Sequence, residues 1–364
     1  MKKKCLALIT TIILSFSLST PSFASTYVPS QSIQKNLEIN GCSFTISEQT
    51  NQAYFTTRTY SAPSERSSQS LDSISSLLVG LGMDENTVAN LSPETLQTYA
   101  TSNHISVTTS YSKCNAETGE ITYLPADVAI SAAEELSARQ TDYYLNYINN
   151  PESTVSTYGL KPNQSADGGV FLDSYMKITH SAASQSNGVI EFYTNAKWLT
   201  MPAFRGTDSI GSTSLDCTVT ANSGLCKIKY IESDVATGYE TIRRQKSQTL
   251  TGTNIKTVTK DGWVGAAVSF TLPKNELTDG VGSSNYIYSD YEVDFTYKGH
   301  IVSPSQPRWF FSAATYDHST LNLSFGDPTI SIDTNGNLTG SIGIHLSRNC
   351  DTRMASDEFY YPGR

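Results

Sequence analysis

Apolar and polar side chains alternate with a period of two residues over several runs in the C-terminal half of this 364-residue chain. One run places four apolar residues at alternate positions: Tyr291, Val293, Phe295 and Tyr297. The same alternation recurs over 321–325 and over 330–346. It predicts half-buried strands, because successive side chains of a strand point to opposite faces. Gly, Asn, Asp and Pro separate the runs, and this favours an antiparallel β-sandwich over residues 166–364.

Upstream of these runs the apolar period changes to that of a helix. Five residues share one predicted helical face: Leu71, Ile74, Leu77, Leu78 and Leu81. Gly82 is suited to end this helix, and Asp84 and Ser92 are suited to cap two short helices that follow. A β-hairpin is predicted over 105–124 and a longer helix over 126–148. The fold class is therefore α+β, with a helical region and a β-hairpin over residues 71–150 ahead of the sandwich.

The N-terminus has the form of a secretory signal peptide. Lys2, Lys3 and Lys4 precede an apolar run, and small residues at Ser22 and Ala24 indicate cleavage after Ala24. A membrane anchor is the alternative, but the apolar run is shorter than the roughly 20 residues that cross a bilayer. We therefore expect residues 1–24 to be a signal peptide and the protein to be secreted, extracellular and without a stable membrane anchor.

Two further segments flank the helical region. Residues 25–70 are predicted to be extended and to end in a Ser/Pro-rich linker. The polar stretch 151–169 marks the boundary before the sandwich. Without the leader, 22 Lys and Arg residues face 34 Asp and Glu residues, which gives a net charge of −12. This charge argues against nucleic acid as a partner, because long-range repulsion opposes the encounter.

Five cysteines remain once the leader is removed: Cys42, Cys114, Cys217, Cys226 and Cys350. Cys217 and Cys226 flank a segment that reads as a β-hairpin, so a disulfide between them is predicted for an oxidising compartment. Isolated buried thiols are the alternative. The pairing of the other three stays open.

Familiar catalytic and cofactor motifs are missing from the sequence. It contains no nucleophile elbow, no HExxH motif, no Walker loop and no dinucleotide fingerprint. Asp333, Asn335 and Asn337 resemble the start of an EF-hand loop, but Leu338 occupies the position that requires glycine. We therefore expect no cofactor and no metal site.

Three patterns remain as candidate functional sites. The first lies at the end of a predicted strand and comprises Trp198, Phe204, Arg205 and Asp208. Exposed aromatic rings beside an arginine and a carboxylate are suited to grip a sugar or a peptide. The structural alternative is that Trp198 fills the end of the sandwich while Arg205 and Asp208 pair, and this alternative is favoured because large aromatic side chains are usually buried.

The second pattern is an acidic stripe formed by Asp290, Glu292 and Asp294. Alternate residues of a strand lie about 7 Å apart, a spacing that suits a glycosidase pair or a cation site. Cross-strand ion pairs with a basic strand that contains Arg243, Arg244 and Lys246 are the favoured alternative.

The third pattern is an amphipathic hairpin over residues 329–346, in which Ser and Thr alternate with Ile and Leu. A membrane-inserting hairpin needs this pattern, and so does any half-buried soluble sheet.

The run from Gly80 to Val88, together with Trp198-Leu-Thr-Met-Pro, Arg205 and Asp208, resembles a group of secreted proteins of Gram-positive bacteria. That group has no assigned activity, so the resemblance implies no functional residue. The leading expectation is a non-enzymatic extracellular protein that binds an unidentified glycan or protein. The alternatives are a secreted hydrolase that acts on glycans or peptides through carboxylates, and a membrane-acting, pore-forming-like β protein.

Overall fold

A computed structural model defines the fold over most of the chain. The residues that it describes are 32–39, 42–51, 54–62, 70–116, 118–149, 171–202, 205–235, 241–260, 263–277, 285–319 and 350–361. Phe204, the run 321–325, the hairpin 329–346 and the EF-hand-like residues Asp333 to Asn337 lie outside them, so these predictions stay open.

The described residues form sixteen strands, four α-helices and one short 3₁₀-helix over Gly252–Asn254. The strands are β1 Ile33–Ile39, β2 Cys42–Thr50, β3 Thr56–Ser61, β4 His104–Asn115, β5 Glu120–Tyr123, β6 Asp173–Ser184, β7 Val189–Trp198, β8 Thr207–Leu215, β9 Cys217–Val219, β10 Leu225–Val235, β11 Ile242–Thr251, β12 Ile255–Lys260, β13 Trp263–Thr271, β14 Asn285–Ile301, β15 Arg308–Ser319 and β16 Cys350–Tyr361. The helices are α1 Leu71–Gly80, α2 Glu85–Ala89, α3 Pro93–Thr101 and α4 Ala126–Asn149.

Two antiparallel sheets make up the sandwich. The larger has eleven strands in the order β1-β2-β3-β4-β6-β7-β14-β10-β11, with β5 beside β4 and β9 beside β14. The smaller has five strands in the order β12-β13-β8-β15-β16. Apolar residues of both sheets meet in one core, including Phe192 and Phe295 from the large sheet and Phe270 and Phe310 from the small one. The predicted α+β class with an antiparallel β-sandwich is confirmed.

The alternation in β14 matches its burial. Tyr291, Val293, Phe295 and Tyr297 are each at most 1% exposed, whereas the residues between them are only partly buried. The apolar row packs into the core between the two sheets, as the period of two requires.

The helical region also follows its local signals. The side chain of Ser70 accepts a hydrogen bond from the Ser73 amide at the start of α1, and Gly82 follows the helix with φ +108°. Ser92 caps α3 in the same way, with Pro93 in the first turn. Asp84 occupies the N-cap position of α2 without a capping side-chain bond, because its carboxylate pairs with Lys177 instead.

The large sheet runs without a break from the N-terminal region into the sandwich. Strand β4 pairs with β6 along its whole length, from His104 opposite Ser184 to Asn115 opposite Asp173. The helices α1–α3 pack on the outer strands, and α4 packs near Phe171 and Tyr175. Among the described residues, no helix is both long and apolar enough to span a bilayer.

The predicted Cys217–Cys226 disulfide is not present, and both cysteines are free, buried thiols. The reason is topological. Cys217 lies opposite Ile301 and Cys226 lies opposite Phe295, so β9 and β10 follow one another along the same edge of β14. Six residues of strand separate the two positions, roughly 20 Å. A disulfide needs Cα atoms within about 7 Å.

We expect mass spectrometry of the unreduced protein to find no linked peptide pair for these two cysteines. Burial raises the pKa of Cys217 to about 11 and raises that of Cys226 further, so both thiols should resist alkylation in the native state. Unfolding in urea without a reductant should expose both to iodoacetamide. A cross-linked pair after unfolding, with neither thiol alkylated, would contradict the structure.

Candidate functional site

Trp198 lies at the end of β7, inside the sandwich, and is 2% exposed. Its indole nitrogen donates a hydrogen bond of 3.2 Å to the hydroxyl of Tyr316 on β15. The ring packs edge-on against Tyr316 and against His318, with centroids 6.0 and 4.7 Å apart. Trp198 therefore joins the two sheets and does not present a stacking surface for a ligand.

Arg205 and Asp208 follow Trp198 closely in the sequence and are also buried. They contact different residues from one another. Asp208 is fully buried and accepts hydrogen bonds from the Tyr316 hydroxyl (2.5 Å) and from Nδ1 of His318 (2.9 Å). Arg205, 1% exposed, donates to the amide oxygen of Asn275 (2.6 Å), and its guanidinium stacks over the Tyr291 ring. All three described residues are buried, in agreement with the favoured structural alternative and not with an exposed binding surface, but the contacts above differ from the expected pairing of Arg205 with Asp208.

Glu292 and Asp294 form the centre of a cross-strand network on the large sheet. Lys229 of β10 reaches both carboxylates, at 3.3 Å from Glu292 and 2.5 Å from Asp294. On the other side, the Asn195 amide of β7 donates to both at 2.8 Å. Tyr193 also donates its hydroxyl to Asp294. Burial alone would lower the pKa of Lys229, but the two carboxylates outweigh it and hold that pKa above its usual value.

Asp290 does not belong to this network, so the expected stripe of three carboxylates needs correction. It lies at a bulge of β14 with a left-handed φ of 52°, where the register with β10 shifts. Its carboxylate pairs with Arg243 of β11 at 3.1 Å, and both side chains are exposed. The predicted ion pairing with the basic strand thus holds for Asp290, while Glu292 and Asp294 use Lys229 of the strand in between.

This arrangement favours a structural role for the two remaining carboxylates. A glycosidase pair needs one carboxyl that stays protonated and a gap that admits the substrate. Here one ammonium group and one amide group each contact both carboxylates. No group of three or more His, Cys, Asp and Glu residues that could hold a metal ion occurs within the described ranges.

In the small sheet, the pairing of strands β15 and β16 is the feature most relevant to function. They pair without interruption over twelve positions, from Arg308 opposite Tyr361 to Ser319 opposite Cys350. Ser319 and Cys350, the described residues that flank segment 320–349, therefore lie directly opposite each other. Any hairpin made by that segment would continue an existing antiparallel ladder.

The two faces of β8 and β15 differ in chemistry. The row that includes Ile210 and Tyr316 faces the large sheet and belongs to the shared core. The alternate side chains of each strand point the other way. Five of them are at most 3% exposed: Ser209, Thr213, Ala313, Thr315 and Asp317. The outward face thus includes a patch of small and polar side chains that are nevertheless buried, while Phe311 on the same row of β15 is 36% exposed.

A cavity of about 350 Å³ lies where β2, β3 and β4 meet the start of α4. Tyr54, Arg58 and Tyr111 contribute its largest side chains. The sequence does not single out these residues, because they come from separate parts of the chain and share no motif. A tyrosine beside the predicted turn between two strands is the one local signal that could have pointed here.

Comparisons with known proteins give no family. No family model matches the chain, and no curated protein matches it. Among solved structures, the chain is similar at 8% identity to Clostridium perfringens delta-toxin, over 51% of this chain and 83% of that one, with a TM-score of 0.15. It is also similar at 8% identity to the Clostridium perfringens NetB toxin in the membrane-inserted form, over 52% and 89% of the two chains, with a TM-score of 0.12. TM-scores this low do not establish a common fold.

Proposed function

We propose that this protein is secreted, extracellular and non-enzymatic, and that it acts on membranes by inserting segment 320–349 as a β-hairpin. The observation that carries the proposal is the pairing of β15 with β16, which ends with Ser319 opposite Cys350. The two ends of the segment are thus side by side and antiparallel. A hairpin could form from them by extending the ladder, without a change in the register of the small sheet.

The amino-acid composition of segment 320–349 suits insertion into a lipid bilayer. The run 338–346 supplies apolar side chains at four of its five alternate positions, with Gly340 at the fifth, and its nine residues are close to the 9–11 residues that a spanning strand needs. Segment 320–349 contains two aspartates, Asp327 and Asp333, one arginine, Arg348, close to its end, and no Lys or Glu. This matters because a charged side chain on the lipid face costs up to about 2–4 kcal/mol.

The outward face of β8 and β15 supports a rearrangement beside this segment. Its buried side chains are small and mostly hydroxylic. Exposing such a face to water loses little hydrophobic free energy, because that term scales with apolar area. Binding of an extracellular glycan or protein remains part of the proposal, since a membrane-acting protein must first bind to its target surface.

The test uses the chain from Ser25 and vesicles of phosphatidylcholine and cholesterol loaded with a quenched dye. Neutral lipid is chosen because the net charge of −12 opposes binding to anionic lipid. We expect concentration-dependent dye release. Ile342→Lys places a charge in the apolar row and should reduce release at least about tenfold.

Ser341→Lys is the matched control, because it adds the same charge one residue away in the polar row. It should retain release. Circular dichroism and the thermal midpoint verify that both variants are folded. The proposal fails if the unmodified chain releases no dye, or if both lysine variants release it equally.

A further inference from the structure

The cavity of about 350 Å³ beside α4 has a volume within the range of ligand-binding pockets, roughly 300–1,000 Å³. One wall is a row of three threonines. Thr50 pairs with Thr56 across β2 and β3, and Thr56 pairs with Thr109 across β3 and β4, so the three residues are lateral neighbours in the sheet. All three line the cavity; the Thr50 and Thr56 hydroxyls lie 3.0 Å apart, and the Thr109 hydroxyl donates to the Thr56 carbonyl at 3.5 Å.

Tyr54 covers one side of the cavity and is held there by the turn between β2 and β3. It has a left-handed φ of 60°, and its amide donates to the Asn51 carbonyl at 3.0 Å. The next residue, Phe55, is buried and packs edge-on against Tyr123 at 4.8 Å. Because Phe55 anchors the turn inward, Tyr54 points outward and is 46% exposed. A fixed, exposed aromatic ring is suited to stack on a ligand.

Arg58 supplies a cation at the cavity. Its Nε donates to Glu48 at 2.5 Å, which fixes the guanidinium. Gly82 permits this position: a Cβ atom there would lie 2.6 Å from Nη1 of Arg58, and φ at Gly82 is +108°. Burial alone would raise the pKa of Glu48, but hydrogen bonds from Lys35 and Arg58 outweigh it and lower that pKa.

The surroundings of the cavity carry an excess of positive charge in a chain that is otherwise acidic. Lys177 pairs with Asp84 at 2.7 Å, and Lys197 lies 3.9 Å from the same carboxylate. With Lys35 and Arg58 at Glu48, four cations pair with two carboxylates, and Asp127 adds a third carboxylate in the first turn of α4. Ala126, the first residue of the 24-residue helix α4, also lines the cavity. The start of a helix favours an anion.

We propose that this cavity binds a sugar residue that bears a carboxylate. The carboxylate would pair with Arg58 near the start of α4, the ring would stack on Tyr54, and the threonine row would take the sugar hydroxyls. A free anion would satisfy Arg58 but would leave the exposed ring and the hydroxyl row without a role. The site is independent of the membrane hairpin and requires no bilayer.

The probes are methyl β-D-glucuronide and methyl β-D-glucoside, titrated against the folded chain by NMR or calorimetry; they differ only at C6, which is a carboxylate in the first and a hydroxymethyl group in the second. We expect the glucuronide to bind at least about tenfold more tightly, because a charge-assisted hydrogen bond is worth about that factor. Arg58→Gln should remove the preference, and Tyr54→Ala should weaken both sugars.

Arg244→Gln is the matched control. It removes an arginine that pairs with Glu232 on the far edge of the sheet, and it should leave both affinities unchanged. Arg58→Lys keeps the charge toward Glu48 if the glutamine variant does not fold, and it should reduce the preference because lysine lacks the planar fork. Equal affinity for the two sugars, no saturable binding, or binding of inorganic phosphate without the glucuronide would overturn the proposal.

Discussion

Trp198→Ala is expected to lower the free energy of unfolding by about 3–5 kcal/mol, the range for removing a large aromatic side chain from a core. The indole is 2% exposed and lies between the two sheets, where it contacts Tyr316 and His318. Truncation leaves a cavity, because these neighbours are held by Asp208 and cannot close over it. It also removes the indole N–H that now bonds to the Tyr316 hydroxyl.

Urea denaturation monitored by circular dichroism measures this loss. Trp263→Ala is the matched control, because Trp263 lies on β13 of the small sheet and is only partly buried. It should cost clearly less. A Trp198→Ala variant as stable as the unmodified chain would show that Trp198 does not join the sheets and would restore it as a candidate ligand contact.

Local signals account for the parts of the fold that could be predicted from the sequence. The period of two in β14, the capping serines of α1 and α3, and Gly82 after α1 each act over a few residues. Their consequences are set by backbone geometry and by the side chain of the residue itself. The structure confirms these local predictions, because none of them depends on contacts with residues that are distant in the sequence.

The errors arose where distant strands decide the outcome. A Cys217–Cys226 hairpin was a reasonable local reading, but both flanking strands pair with β14 and lie end to end along it. The acidic stripe was read from strict alternation, which the bulge at Asp290 interrupts. Neither the pairing partner of a strand nor the position of a bulge is encoded in the spacing of the residues concerned.

The candidate site was harder to predict than the fold for the same reason. Tyr54 and Arg58 meet Tyr111 and Ala126 only after β3 pairs with β4 and α4 packs alongside. In contrast, Trp198, Arg205 and Asp208 look like a binding motif in sequence but lie in the core. A cluster of aromatic and charged residues does not by itself distinguish a ligand contact from a buried polar network.

Buried histidines make the free energy of unfolding depend on pH. His180 is fully buried between the sheets, where Thr194 and Ser312 bond its two ring nitrogens at 3.1 and 3.0 Å. Burial lowers its pKa to about 3, although a backbone hydrogen bond acts in the opposite direction. Burial also lowers the pKa of His104 to about 4. Both histidines stay neutral in the folded chain under conditions where an unfolded chain would protonate them.

Acidification from pH 7 to pH 4 is therefore expected to destabilise the protein steeply. The unfolded histidines take up protons below about pH 6.5, whereas the folded ones do not until about pH 4 and pH 3. The unfolded state then binds more protons, so the stability that is fully present above pH 6.5 is lost as the pH falls. Each histidine contributes a slope of about 1.4 kcal/mol per pH unit within its window.

Urea denaturation at pH 7, 6, 5 and 4 measures the slope, and His180→Gln isolates the contribution of one histidine. Glutamine retains a donor and an acceptor toward Thr194 and Ser312 but cannot take up a proton in this range. The variant should therefore lose less stability per pH unit than the unmodified chain. His300→Gln is the control, because His300 is exposed on β14, and it should leave the slope unchanged. Equal slopes for the His180→Gln variant and the unmodified chain would show that His180 is accessible to protons in the folded state.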